Sequence, residues 1–434
     1  MKTNYRKLKT MLISIMMIFF VVSIAYIYSA SFTINIYKKI EDVNSLAFFL
    51  ESKYPLIILA AYLIFLFSIF KFFKVSTIKK RVVIFFLLTT CLIMGFVFKI
   101  FYSDFTSKFM AKQLLFYIIG SILFLIFSNI DYRTYKKYNI FVFLISIFLL
   151  VLVLIIGTSV KGAKRWIFIL GFTIQPAELA KLMFVVCFSG ILSKFHENNK
   201  KDFEIIVPAM LISFTYIGLI LLERDLGSAL HLMTVTLIML FVSNVKIRYT
   251  SLLMGILSLM GGLFLKISPY RWKRVKEYIE GIWTTGYGGG YQTTQSLIGI
   301  GNGGFTGLGF GSGAQKYYYL PERHTDFIFA IICEENGFIG AFFLILSYVI
   351  LMIVGTKIIK KSDDEYAKYI AFGITSLVIV QVLINLFVVT GLIPTTGLTL
   401  PFISYGGSSI CTLMIAMGIL VNVMTPKNNK DYIS

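Results

Sequence analysis

The side chains that say most about chemistry sit in Tyr317-Tyr-Tyr-Leu-Pro-Glu-Arg-His-Thr-Asp326-Phe-Ile-Phe-Ala330, where a polar, glycine-rich segment opens into an apolar helix. A carboxylate at the mouth of a membrane segment is costly unless it caps a helix or serves a function. One reading is that Asp326 is functional and that the rest of the chain is scaffold around it. The structural alternative is that Thr325 or Asp326 caps the helix, an acid being favourable at the positive end of the helix dipole. Three basic clusters accompany this acid: Lys161-Gly-Ala-Lys164-Arg165-Trp166, then Tyr270-Arg271-Trp-Lys273-Arg274-Val-Lys276, then Lys316 with Arg323 and His324. Such cations suit the binding of an anionic group. Headgroup anchoring by snorkelling Lys and interfacial Trp is the rival reading.

These residues need a membrane scaffold to hold them. Of the 434 residues 57% are hydrophobic and 14% charged, against roughly a quarter charged in soluble proteins. The net charge of +20 does not point to nucleic acid, because Lys and Arg collect in the cytoplasmic loops of multi-span proteins. Cys91, Cys187, Cys333 and Cys411 are scattered, as are His196, His231 and His324, so no disulfide framework and no metal cage is expected.

Uncharged runs predict helices near 11–31, 55–73, 82–101, 113–130, 139–157, 179–193, 205–222, 226–243, 250–266, 327–357, 369–390 and 403–423. Most are long enough to cross about 30 Å of hydrocarbon, 179–193 being marginal. The expected fold is therefore an all-α polytopic membrane protein, a bundle of about 12 transmembrane helices. Its residues 1–434 form a single integral membrane domain. The first apolar core is about 20 residues, too long for a signal peptide's, and is read as a retained span. Basic residues alternate so that both termini fall on the cytoplasmic side, which leaves the three clusters above on the outward side.

A large extracytoplasmic loop is expected over 267–326. Twelve glycines lie between Gly286 and Gly313, which permits unusual backbone and lets amides approach an anion. With no strand before it and no ordinary helix after it, this is not a dinucleotide fingerprint. The last outward loop runs Gly391-Leu-Ile-Pro394-Thr-Thr-Gly397-Leu-Thr-Leu-Pro401-Phe-Ile-Ser404-Tyr405-Gly406-Gly407-Ser408-Ser409. Irregular backbone there must be buried in protein or line a wet cavity. Its small residues suit close helix packing as well as substrate contact.

Taken together, Lys161 to Trp166, Gln175-Pro-Ala-Glu178-Leu-Ala-Lys181, Asp225-Leu-Gly227, Gln295-Ser296 with Ile300-Gly-Asn-Gly-Gly304, Leu320 to Phe327 and Ser404 to Ser409 resemble the SEDS family (shape, elongation, division and sporulation). The resemblance runs in order from about residue 113 to the C-terminus and leans slightly towards the FtsW and sporulation branch. Ser29-Ala-Ser31 is a weaker match. Three departures stand out. The segment 55–101 reads as an extra helical hairpin. Thr173 stands where many members carry a basic residue. Glu223-Arg224 precedes Asp225 where relatives more often have Gln-Pro.

The resemblance implies a peptidoglycan glycosyltransferase of the cytoplasmic membrane. It would join a growing glycan strand to lipid II on the outer face and release undecaprenyl pyrophosphate. Asp326 matches the family's essential aspartate, which would take or orient the proton of the attacking sugar hydroxyl, since an alcohol is a poor nucleophile at neutral pH. An ordinary aspartate, with a pKa of about 3.9, is a weak base, so orienting the hydroxyl is a role as open to it as abstraction. Lys164, Arg165, Arg271 and Arg274 become candidates for the pyrophosphate. Trp166, Gln295, Ser296, Glu322, His324, Ser404, Tyr405, Gly406, Gly407 and Ser408 complete the candidate substrate surface. Glu178 and Lys181 share a helix face and support that cavity or touch substrate. Glu334 lies two turns and about 80° beyond Asp326. A divalent cation, Mg²⁺ or Mn²⁺, would sit on the phosphate oxygens. The implied partners are a class B penicillin-binding transpeptidase and other division or elongation membrane proteins. Two rivals remain: a lipid II flippase, which wants charges along a through-path, and a scaffold of the division machinery, which has no need of Asp326.

Overall fold

The computed structural model of the protein describes residues 2–31, 105–160, 163–169, 172–197, 202–243, 245–267, 290–317, 319–362 and 364–424, with 272, 275–276 and 278–281. The expected hairpin at 55–101, and the candidates Arg271 and Arg274, lie outside the described residues.

Helices α1 (Lys2–Ser31), α2 (Phe105–Asn129), α3 (Tyr132–Lys137) and α4 (Asn139–Ile156) lead into three short strands, β1 (Thr158–Val160), β2 (Ala163–Ile169) and β3 (Phe172–Ile174). There follow α5 (Pro176–Glu197), α6 (Asp202–Leu222), α7 (Leu226–Val242), α8 (Ile247–Ile267), α9 (Tyr291–Gly303), α10 (Ile328–Lys361), α11 (Glu365–Val389) and α12 (Gly407–Val423). Helices α1, α2, α4, α5, α10 and α11 are long and apolar enough to cross a membrane, while α6, α7 and α12 are shorter apolar helices. Runs of Leu, Ile, Phe and Val close their backbone hydrogen bonds within the segment, as hydrocarbon requires.

Helices α5 and α11 lie inside the bundle, and α4 lies at its edge, turning Ile140, Phe141, Phe148 and Ile155 outward. Helix α12 packs on α2 through small residues. A Cβ on Gly418 would stand 2.7 Å from the Phe124 carbonyl oxygen, so only glycine allows the approach.

Two elements depart from the expected pattern. The glycine-rich stretch is not all loop, since α9 occupies 291–303. The apolar run after Asp326 is not one straight helix, because α10 breaks at Gly337 (φ 61, ψ −160). The chain after α9 fills that break. The amides of Leu308 and Gly309 donate to the carbonyls of Glu334 and Glu335 at 3.0 and 2.9 Å, and the Phe338 amide donates to Gly304 O at 3.0 Å. A Cβ at Gly303 would collide with the Cys333 carbonyl at 1.9 Å. These glycines let one backbone lie against another.

The two ends of the bundle differ in kind. At one end Asp364 caps α11 by accepting from the Ala367 amide at 2.7 Å, Arg133 stands 3.7 Å from Asp364, and Tyr5 donates to the Lys361 carbonyl. Arg133, Lys136, Lys137, Lys360 and Lys361 lie on the elements that meet there. The strands, the turn between α6 and α7, the loop before α10 and the loop before α12 meet at the other end.

Candidate active site

One stretch, residues 396–400, links α7, the loop before α10, α11 and the loop before α12. It runs past the start of α7, where a Cβ on Gly227 would stand 2.5 Å from Thr396 O. Gly397 (φ +80) comes next, and a Cβ there would lie 3.7 Å from Asp326 Oδ2. The Asn385 side-chain amide, on α11, donates to Leu398 O at 2.7 Å and to Asp326 O at 2.8 Å. Gln381, one turn along, donates to Thr399 O at 2.9 Å. The Leu400 amide donates to Ser404 Oγ at 2.8 Å, and Ser404 Oγ donates to Thr325 O at 2.6 Å. The Tyr405 amide donates to His324 O at 2.9 Å.

Asp326 is thus half-buried in a loop pinned from three sides. The residue at the cap position of α10 is Phe327, whose own side chain makes no capping hydrogen bond. Thr325 Oγ1 instead donates to Glu322 O and Glu322 Oε2, both at 3.1 Å. Neither Thr325 nor Asp326 occupies the cap position of α10. Glu322 adopts φ 55, and its carbonyl accepts from Thr325 N and Phe327 N. His324 lies between Phe109 and Tyr405, with ring centroids 4.7 and 5.9 Å away. Burial holds its imidazole below the ordinary histidine range, against the opposing pull of Glu322, and Arg323 adds a smaller downward push.

A second polar group sits across the same stretch. The pleat of β2 turns Ala163, Arg165 and Ile167 to one face and Lys164, Trp166 and Phe168 to the other. Arg165 therefore reaches inward, where its guanidinium stands 3.7 Å from Asp225 Oδ1 and donates to the Arg224 carbonyl. Lys164 is exposed and Trp166 half-buried. Asp225 caps α7 through the Ser228 amide at 3.2 Å and accepts from Gln175 Nε2 at 3.1 Å. The Gln175 amide donates to Ser408 Oγ at 2.9 Å. Gly406 and Gly407 begin α12, and a Cβ on Gly407 would strike the Phe116 ring at 2.3 Å; close packing is therefore at least one of their roles.

Other candidates are sealed. Lys181 is 0% exposed and donates to Glu178 at 2.8 Å and to Gln381 Oε1 at 3.5 Å. This pair braces the residue that holds Thr399. Ser296 donates to Val389 O at 2.7 Å, and Gln295 beside it on α9 is half-buried. Lys316 and Glu335 pair at 2.9 Å with both side chains 0% exposed, and Ser29 donates to Glu335 at 2.6 Å. Glu334 accepts from the amides of Ala314 and Gln315 at 2.9 and 3.1 Å. Arg323 Nε donates to Ala30 O at 2.8 Å. The motif cations Lys316 and Arg323 thus tie the loop to α1. Sequence reasoning missed Asn385, although an Asn within an apolar span is itself a signal. Among the described residues no three His, Cys, Asp or Glu side chains converge, so they offer no protein cage for a divalent cation.

The chain matches the model of a family described as cell cycle protein, FtsW/RodA/SpoVE, over residues 82–429. It is 41% identical over 344 residues to stage V sporulation protein E of Bacillus subtilis (strain 168), covering 78% of this chain and 93% of that one. It is 38% identical over 320 residues to a probable peptidoglycan glycosyltransferase FtsW of Geobacter sp. (strain M18), covering 73% of this chain and 87% of that one. Its fold is similar to a solved chain of a peptidoglycan synthase complex (TM-score 0.62, 24% identity, 78% and 96% covered). It is also similar to the crystal structure of rod shape determining protein RodA of Thermus thermophilus (TM-score 0.55, 24% identity, 78% and 95% covered).

Proposed function

Because the chain belongs to the FtsW/RodA/SpoVE family of cell cycle proteins, we propose that the end of the bundle built around Asp326 polymerises lipid II into glycan strands. The protein is a multi-pass membrane peptidoglycan glycosyltransferase. The observation that carries the site is Asp326 itself: its loop is fixed by Asn385 and Ser404, and its carboxylate flanks Gly397.

In the reaction the acceptor's sugar hydroxyl attacks the anomeric carbon of the donor. A new C–O bond forms as the bond to the pyrophosphate oxygen breaks, and undecaprenyl pyrophosphate departs with the electron pair. Asp326 orients the hydroxyl and takes up its proton. Arg165, partly exposed on β2, offers positive charge to the leaving pyrophosphate, while Lys164 stands on the opposite face of that strand. Arg271 and Arg274 join Arg165 in this proposal. This end faces outward, which the collection of Arg133, Lys136, Lys137, Lys360 and Lys361 at the opposite end supports. A class B penicillin-binding transpeptidase crosslinks the product. In support, a fold neighbour is a chain of a peptidoglycan synthase complex that coordinates polymerization and crosslinking.

The test is polymerisation of purified lipid II by the purified chain, with and without that transpeptidase, beside Asp326→Asn. Glycan strands from the unaltered chain and none from the folded variant are expected. Equal product from both would remove Asp326 from the chemistry. A flippase would move lipid II in vesicles without lengthening any glycan.

A further inference from the structure

The turn joining α6 to α7 holds a carboxyl group that the mechanism above does not use. Arg224 takes a left-handed conformation (φ 62), and the Asp225 amide folds back to Ile220 O at 3.1 Å. The turn therefore tucks Glu223 inward, and its side chain is 0% exposed. Neither Glu223 oxygen has a hydrogen-bond partner, and in the same cluster Arg165 Nε and Thr396 Oγ1 are also buried without one. Buried polar atoms are nearly always paired, so four unpaired atoms around one turn mark a place with something left to do.

The neighbourhood sets what Glu223 does. The charged groups acting on it are Asp225, on its own turn, and Arg165, on β2. Gln175 and Thr396, from the neighbouring segments, carry no charge. Burial, then repulsion by Asp225, push the Glu223 carboxyl up to about 8 against the pull of Arg165. At neutral pH the group holds its proton, and Arg165 faces a single carboxylate, that of Asp225. Above the titration a second negative charge appears beside a guanidinium whose Nε–H is unpaired, and the guanidinium turns to it.

We propose that Glu223 is a positioning residue that acts through Arg165, deciding how much of that guanidinium remains for an anionic group of the substrate. This rests on the glycosyltransferase reading, in which the anionic group is the pyrophosphate of lipid II. Neutral Glu223 leaves Arg165, whose side chain is 27% exposed, with no second carboxylate to bind, so that its exposed part can meet the ligand. Ionised Glu223 competes for it.

The test reads binding, so that it does not depend on polymer being formed. Kd for fluorescently labelled lipid II is measured on the purified full chain at pH 7 and pH 9, with Glu223→Gln and Arg165→Gln alongside. In the unaltered chain Kd is expected to rise about tenfold between the two pH values. The ratio should collapse to about one in Glu223→Gln, which cannot ionise, and in Arg165→Gln, through which Glu223 acts. Arg165→Gln should also bind more weakly at both pH values. Difference infrared spectra give a second readout: the carbonyl band of a protonated carboxylic acid, present at pH 7 and absent from Glu223→Gln. A pH ratio unaltered by Glu223→Gln, or one surviving in Arg165→Gln, overturns the proposal, as does the absence of that band. Failure of glycan synthesis with the pH ratio intact would count against the proposed reaction and leave this proposal standing.

Discussion

Lys316 and Glu335 face each other at 2.9 Å with neither side chain exposed, whereas Asp326, on the same loop as Lys316, is half-buried beside Gly397. Both acids belong to apolar stretches, and both answer the rule that a carboxylate near a membrane span has a reason to be there. The reasons differ. Glu335 has a cation, a serine hydroxyl and no solvent, and its work is to lock the loop to α1. Asp326 is held at its backbone by the Asn385 amide on its carbonyl, and its half-buried carboxylate lies beside Gly397. Charge at depth therefore marks a site only after the backbone and the side chain have been considered separately.

The sharpest way to break this contrast is to neutralise each acid's region in turn. Asp326→Asn should lower glycan polymerisation at least about a hundredfold, the scale of a lost general base, with the inactivation temperature in detergent nearly unchanged. Lys316→Met should behave in the opposite way. Leaving Glu335 buried without its cation costs about 3–5 kcal/mol, which reads as a large fall in that temperature, while turnover per folded molecule is retained. Lys316→Met combined with Glu335→Leu should recover much of the stability. If Lys316→Met instead abolished turnover in a stable protein, the buried pair would belong to the site.

Much of this was legible in the sequence, and the reasons are physical. Uninterrupted apolar runs have one solution in hydrocarbon, so the spans from α2 to α12 follow closely from the residues. The pairing of Glu178 with Lys181 follows from their three-residue spacing. The break at Gly337 was not legible, because what compensates it is the distant backbone of Leu308 and Gly309. Nor was the inward turn of Arg165 away from Lys164, which needs the pleat of a strand that apolar periodicity does not announce. The burial of Lys316 was missed for the converse reason: its partner lies on another element, and charge alone argued for solvent or ligand.

A smaller effect comes from the amide that holds the loop. Asn385→Ala removes the donor shared by Asp326 O and Leu398 O, a loss of about 1–3 kcal/mol when buried acceptors go unpaired. Stability and turnover should both fall, turnover the more, because the loop carrying Asp326 loses its tether to α11. Equal losses in the two would make Asn385 a packing residue only.

The finest comparison uses two glycines of matching geometry. Gly397 has φ +80 and would place a Cβ 3.7 Å from Asp326 Oδ2; Gly311 has φ +81 and would place one 3.9 Å from Lys316 Nζ. Neither Cβ meets a clash, so Gly→Ala at either position costs mainly the left-handed backbone, about 1–2 kcal/mol. The two variants should therefore lose similar stability. They should part in turnover, because a shifted Gly397 disturbs the surroundings of the carboxylate that orients the hydroxyl, whereas a shifted Gly311 disturbs an ion pair that only holds the loop. A several-fold drop in kcat for Gly397→Ala, against little change for Gly311→Ala at matched stability, would assign chemistry to the first region and anchoring to the second. Equal drops would mean that the loop acts as one body, and that strain anywhere along it reaches Asp326.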